Sequence, residues 1–154
     1  MRRKRVSKFE ELIEGLGQVL NVPLQAQQGY MCKLNAGGVL ELQIEYIEKK
    51  DNILMASFLT ELPPGKFREE ALMAGLKANG SEDSFGIFAY SSANNTLILQ
   101  LYLPTSITSQ NLADKMKQFI QVGTEWKEAI EQGNLSLVSK PTTSSFISPF
   151  KLTR

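Results

Sequence analysis

The 154-residue sequence predicts an α+β domain with a five-stranded, mainly antiparallel sheet and three helices, in the order α-β-β-β-α-β-β-α. Apolar residues recur every three or four positions in three segments, and every second position or continuously in five others. Within the first three strand-like segments, and again within the last two, the links are too short for a crossover, which indicates antiparallel pairing. Hydrophobic residues make up 42% of the chain and charged residues 21%, so we expect a single packed domain.

The first helix is predicted over residues 8–20. Ser7 and Glu10 have the spacing of a capping box, in which each side chain bonds the other residue's backbone amide. An apolar stripe at helical spacing follows and consists of Phe9, Leu12, Ile13, Leu16 and Leu20. Residues 1–6 hold four basic groups, and we expect them to form a basic arm in front of a domain at residues 7–132.

Three strands are predicted next, over residues 30–35, 39–47 and 53–62. Gly37-Gly38 and Lys50-Asp51-Asn52 are typical turn sequences between them. The second strand alternates apolar with acidic or amide side chains, as a strand with one wet face does. The third strand is apolar on both faces, which is less usual in a small antiparallel sheet.

The second half predicts a helix over residues 66–80, a hairpin with strands at 85–92 and 96–103, and a long helix that runs from Ser109 to a cap at Gly133. The helix at 66–80 has one face of mostly small residues and a separate group of large ones, so it needs two packing partners. The first face holds Phe67, Ala71, Ala74, Gly75 and Ala78, and the second group is Leu72, Met73 and Leu76.

Residues 133–154 have the Ser, Thr and Pro content of a flexible segment. We expect them to form a flexible C-terminal tail. Three of its side chains are more apolar than a linker requires, namely Phe146, Ile147 and Phe150.

The segment "NTLILQLYLP" at residues 95–104 is apolar on both faces of its predicted strand. One face would carry Leu97, Leu99, Leu101 and Leu103, and the other Ile98 and Tyr102. Two arrangements would cover both faces. Either helices of the same chain pack on each side of the sheet, or one apolar face is an interaction surface. The residues alone leave both open.

The sequence shows no catalytic or metal-binding set. It has no histidine, which removes the commonest general base and zinc ligand, and its one cysteine can form neither an intramolecular disulfide nor a cysteine-rich zinc site. No segment approaches the ~20 consecutive apolar residues of a membrane span. We therefore expect no catalytic activity, no cofactor, no metal and no membrane insertion. An enzyme that uses only carboxylates, lysine or tyrosine stays as an alternative.

The charges are unevenly distributed although the net charge is only +1. Residues 1–6 and 133–154 together carry seven basic groups and no acidic ones. Removing those seven positive charges leaves the body, residues 7–132, at a net charge of −6. An acidic body repels phosphate backbones, so we expect no nucleic-acid partner.

The order of elements resembles the CesT-like (Tir chaperone) family, the class I chaperones of bacterial type III secretion. The local sequences "LIEGLGQVLNVPL", "CKLNAGG" and "LTELPPG" are similar to the family's first helix, first strand and turn, and end of the third strand. "EEALMAGLKAN", "GIFAYSSANNTLILQLYLP" and "FIQVGTEWKEAI" are similar to its second helix, second hairpin and last helix. The resemblance covers residues 7–132.

The resemblance implies a cytoplasmic bacterial homodimer without enzymatic activity. Such a chaperone binds the N-terminal region of a secreted effector, keeps it partly extended and targets it to the export apparatus, including its ATPase. The implied client-binding residues are Phe9, Ile13, Leu40, Leu42, Ile44, Met55 and Phe58. The implied dimer interface is Leu72, Leu76, Leu97, Leu99 and Leu101. The alternative within this family is a heterodimeric adaptor or regulator that binds a regulatory protein instead of an effector.

Overall fold

A computed structural model describes residues 2–138, with side chains from Arg5 onward. Its three α-helices and five strands follow the predicted order, which confirms the fold class. The elements are α1 (Arg2–Leu20), β1 (Met31–Ala36), β2 (Leu40–Ile47), β3 (Asn52–Glu61), α2 (Lys66–Asn79), β4 (Ile87–Ser91), β5 (Thr96–Pro104) and α3 (Ser109–Glu131). Short 3₁₀ turns lie at Glu48–Lys50 and Leu135–Leu137.

The five strands form one antiparallel sheet in the spatial order β1-β2-β3-β5-β4. The register runs across the sheet from Cys32 to Ile44, then Met55 and then Leu101. Directly paired residues share a face because side chains alternate along each strand. Leu99 lies two residues before Leu101 on β5 and therefore points to the same face, and it pairs with Phe88 of β4. All of these residues belong to one face, which we call the inner face.

All three helices pack on the inner face. Gly123 of α3 lies against Leu40 and Leu59, where an added Cβ would stand 2.9 Å and 3.2 Å from their side chains. Gly75 of α2 lies against Phe88, and an added Cβ would stand 3.3 Å from its Cβ. The predicted small face of α2 is therefore the face that approaches the sheet. α1 lies beside α3 and adds Phe9, Ile13 and Leu16 to the same core.

Gly15 explains how closely α1 and α3 approach each other. An added Cβ at Gly15 would collide with the Ser109 side chain, and the Ser109 hydroxyl donates a hydrogen bond of 3.2 Å to the Leu12 carbonyl. Gly17 lies two residues further on, against the backbone of Val22. Gly15 serves helix packing, whereas Gly17 lets the chain after α1 fold back closely on the helix. Neither glycine follows a strand as a phosphate-binding glycine would.

Two predicted boundaries are wrong. α1 begins at Arg2, so Ser7 lies inside the helix and cannot cap its first turn, and residues 2–6 are helical. Residues 133–138 also belong to the fold, because Leu135 and Val138 pack against the core after α3 ends. The remainder of the predicted tail, residues 139–154, lies outside the described residues.

The buried thiol of Cys32 makes stability depend on pH. Its residue is 2% exposed, and burial raises the pKa of the thiol because the thiolate would lose its hydration. The thiol of the unfolded chain keeps an ordinary pKa of about 8.5. Above that pH the unfolded chain ionises first, so the folded state loses relative stability as the pH rises.

We predict that the natural chain loses unfolding free energy relative to Cys32→Ala as the pH rises from neutrality. The slope cannot exceed about 1.4 kcal/mol per pH unit, which is the limit for a single titrating group. Urea unfolding of both proteins at several pH values measures it, and Cys32→Ala serves as the non-titrating control. A difference that stays constant with pH would contradict the buried thiol.

Candidate functional site

The second face of the sheet, which we call the outer face, is covered by no helix of the described chain. Its apolar part combines β3, β5 and β4, where Phe58 pairs with Ile98 and Ile98 pairs with Ala89. We call this surface the outer patch, and it consists of Leu54, Ala56, Phe58, Ile87, Ala89 and Ile98. Phe58 is 58% exposed and Ile87 is 49% exposed. An uncovered apolar surface of this kind is typical of an interaction site.

Polar groups border the outer patch on both sides. Towards β1 and β2, a shallow depression of about 370 Å³ lies beside Phe58 and is also lined by Lys33, Glu41 and Gln43. Towards the other end of the strands, the Lys50 ammonium lies 4.9 Å from the centre of the Tyr102 ring. An apolar centre with a polar border is the usual anatomy of a surface that binds another polypeptide.

A second apolar surface lies on α2. Met73 is 54% exposed and Leu76 is 65% exposed, and Leu72 lies half-buried on the same side of the helix. We call these three residues the α2 ridge. Beside the ridge, Leu72 and Leu76 line a cavity of about 190 Å³ together with Tyr90 and Leu97. The ridge and the cavity are side by side, so the surface offers both a projection and a recess.

The two edges of the sheet differ in how their backbone groups are occupied. At β4, the Asn79 carboxamide accepts a hydrogen bond of 2.7 Å from the Phe88 N–H and donates one of 2.9 Å to the Phe88 carbonyl. This side chain takes the place of a neighbouring strand at that position. The middle of the β4 edge is therefore closed to another strand.

At the β1 edge, only the first residue, Met31, has its outward backbone groups bonded. Gln27 forms an isolated bridge with Met31 through backbone hydrogen bonds. The alternation of hydrogen bonding turns the backbone groups of Lys33 and Asn35 away from β2, and no strand of the described chain pairs with that edge. β1 thus has room for an added strand over its second half.

Six of the seven predicted client-binding residues lie in the core. Each is no more than 3% exposed, so none can contact a bound polypeptide at the surface: Phe9, Ile13, Leu40, Leu42, Ile44 and Met55. Their side chains fill the space between the sheet and the helices α1 and α3. Phe58 is the exception, because it points to the outer face.

The predicted dimer residues divide in a similar way. The prediction is wrong for Leu97 and Leu99, which are 1% and 0% exposed and pack beneath the helices. Leu101 is half-buried on the inner face. Leu72 and Leu76 do lie at the surface, as part of the α2 ridge, so an interface there remains a prediction.

Sequence reasoning missed most of the outer patch and the closure of the β4 edge. The alternation of β3 and β5 contained the signal for the patch, since Leu54, Phe58 and Ile98 have the opposite phase to the core residues. Nothing in the sequence indicated that Asn79 would reach the backbone of Phe88, because this contact links positions in different elements.

The described residues contain no group of three or more metal-ligating side chains, and no described helix is long and apolar enough to span a membrane.

Comparison with known proteins finds relatives in structure only. No protein-family model and no curated protein matches the sequence. A chain of the HopA1–SchA chaperone–effector complex superposes with a TM-score of 0.68 at 13% identity, over 80% of this chain and 96% of that one. A chain of the ExsC–ExsE complex gives 0.64 at 12% identity, over 81% and 95%. A chain from the structure of the Yersinia pestis type III secretion chaperone SycH in complex with a stable fragment of YscM2 gives 0.57 at 10% identity, over 75% and 96%.

The chain therefore has the fold found in structures of type III secretion chaperone complexes. It spans nearly the whole length of each matched chain, so the likeness extends to all the main elements. At these identities the comparison establishes the fold alone.

Substitution on the two faces of β3 should separate core from surface. Met55→Ser is expected to cost about 2–5 kcal/mol of unfolding free energy, because it leaves a cavity and places a hydroxyl in the core. Phe58→Ser is expected to cost no more than about 0.5 kcal/mol, since the ring has little to pack against. Urea unfolding of both variants measures the difference. Equal large losses would show that the outer face is packed inside the folded chain.

Proposed function

We propose that the chain is a class I type III secretion chaperone of the CesT-like kind. It binds the N-terminal region of a secreted effector, keeps that region partly extended and delivers it to the export apparatus and its ATPase. It acts in the bacterial cytoplasm as a homodimer and has no catalytic role. The structural neighbours support this proposal through their fold, and two of the three are solved as chaperones with a protein partner.

The observation that carries the proposal is the uncovered outer patch. The inner face already buries the hydrophobic residues needed for folding, so the patch contributes little to folding stability. Phe58 and Ile87 nevertheless remain apolar and about half exposed. A surface that is apolar without a packing role is most simply explained by a partner that covers it.

An extended client fits this surface better than a folded one. A client strand added at Lys33 and Asn35 of β1 would continue the antiparallel sheet through main-chain hydrogen bonds. The segment that leaves this strand can cross the depression beside Phe58 and reach the outer patch. Main-chain pairing supplies affinity with little dependence on sequence, and the apolar patch selects clients with large apolar side chains.

The energy balance favours a long client segment. Ordering one client residue costs about 1–2 kcal/mol of backbone entropy, whereas full burial of one large apolar side chain contributes about 1.5–3 kcal/mol. Phe58 and Ile87 alone cannot offset the ordering of a segment that crosses several strands. The remaining outer patch and the β1 edge are needed as well, so we expect binding to depend on several contacts.

The α2 ridge is our proposed dimer surface. In a two-fold dimer the same surface occurs on both copies, so the Leu76 side chain of one can enter the recess beside Tyr90 on the other. Leu76 and Met73 together would remove much of the exposed apolar area of α2 from water. Main-chain pairing between two β4 edges is restricted, because Asn79 already occupies Phe88.

We predict that a tagged chain captures a secreted protein from the bacterium that encodes it, and that N-terminal fragments of that protein suffice for binding. Phe58→Asp should reduce the measured affinity at least about tenfold, which corresponds to 1.4 kcal/mol, because a carboxylate would be buried without a partner. Mass spectrometry identifies the captured chain and calorimetry gives its affinity. Gln118→Asp, on the exposed side of α3, also changes the net charge by −1 and is the matched control.

A captured protein that is never exported would favour the regulatory alternative. A secreted partner bound equally well by the natural chain and Phe58→Asp would contradict the outer patch as the client site.

We predict that light scattering gives twice the monomer mass of 17.2 kDa and that Leu76→Asp returns the mass to that of one chain. The aspartate would place a charge in a dry interface, and it should leave the fold intact because Leu76 is 65% exposed. Gln118→Asp, on the exposed side of α3, adds the same charge and should remain dimeric. A natural chain that is monomeric at micromolar concentration would refute the homodimer.

A further inference from the structure

A groove between α2 and α3 is not used by the proposed client and dimer surfaces. It encloses about 590 Å³ and opens on the side of α2 away from the α2 ridge. At its base the rings of Phe88 and Trp126 lie 4.1 Å apart between centroids. Ala78 and Val122 add apolar walls from the two helices. A groove with an aromatic base and small side walls fits large apolar side chains.

The chain itself leads to this groove. Val138, the last described residue, is one of its lining residues and packs against the core. The chain continues from there with "SKPTTSSFISPFKLTR", residues 139–154. Phe146 lies eight residues after Val138, and an extended chain spans at most about 29 Å over that distance. The apolar residues Phe146, Ile147 and Phe150 are therefore within reach of every part of the groove.

The charges of the groove and of residues 139–154 are complementary. Asp83 and Glu125 line the groove and are exposed, while Lys77 is the one lining cation. Residues 139–154 carry Lys140, Lys151 and Arg154 and no acidic group. Each exposed ion pair is worth only about 0.2–1 kcal/mol, so these charges orient the segment while apolar contact holds it.

We propose that the chain's own segment around Phe146, Ile147 and Phe150 occupies the groove beside Trp126. The segment is tethered at the mouth of the groove, so its effective concentration is about 1 mM. Even a weak contact, with a dissociation constant of about 0.1 mM, then keeps the groove filled for about nine-tenths of the time. The segment shields the aromatic base from other polypeptides, and it is exchanged when a stronger ligand arrives.

Trp126 is the single tryptophan of the chain and therefore reports on the groove directly. The test compares the 154-residue chain with F146A/F150A and with the matched control T142A/T143A in the same segment. Acrylamide quenching of Trp126 should increase at least about twofold in F146A/F150A, because the cover is lost, and should stay unchanged in the control. Equal quenching in all three proteins would overturn the proposal.

A charge exchange gives an independent test that leaves the groove's apolar lining intact. E125K should increase the quenching because it repels Lys151 and Arg154, and adding K151E and R154E to E125K should restore it. Failure of this restoration would overturn the charge pairing.

Dilution distinguishes the chain's own segment from that of a second copy. If the segment covers the groove of its own chain, the difference in Trp126 quenching between the natural chain and F146A/F150A is independent of protein concentration. A difference that disappears on dilution would assign the groove to a neighbouring copy and overturn the proposal. These measurements use the isolated chain, so their outcome is separate from whether it binds a secreted protein.

Discussion

The packing of three helices on a single face of the sheet is the constraint that determines the other features of this molecule. Burial of one large apolar side chain contributes about 1.5–3 kcal/mol, and the inner face buries a continuous set of them from Cys32 to Phe88. Because strands alternate, every residue placed inward directs its two neighbours outward. With no helix of the described chain left for the outer face, the apolar residues there must meet either water or another polypeptide.

Much of the architecture follows from the sequence, because its signals are local. Helical periodicity and the turn sequences place the elements to within one or two residues, apart from the start of α1. The split of α2 into a small face and a large face also holds, since Ala71 and Gly75 are buried while Leu76 is exposed. The start of α1 was misplaced because Ser7 and Glu10 match a capping pattern, although arginine and lysine extend helices readily.

The site was harder to locate than the fold. A strand such as β5 is apolar on both faces, so its sequence pattern does not indicate which face the helices cover. The residues nominated for partners, including Ile44, Met55 and Leu99, were those with the strongest hydrophobic pattern, and that pattern is the one the core selects. Phe58 and Leu76 are distinguished only by their position relative to α1, α2 and α3. Long-range packing, which the sequence does not display, decides that position.

The Asn79 carboxamide has a further consequence for how this protein behaves when crowded. Unpaired strand edges are templates for edge-to-edge polymerisation into fibrils, and β4 would otherwise present one next to exposed Ile87. By occupying both backbone groups of Phe88, one neutral side chain interrupts that template at its middle. Replacement by an aspartate would leave the Phe88 carbonyl without its donor, so a single change from amide to acid would reopen a route to insoluble filaments.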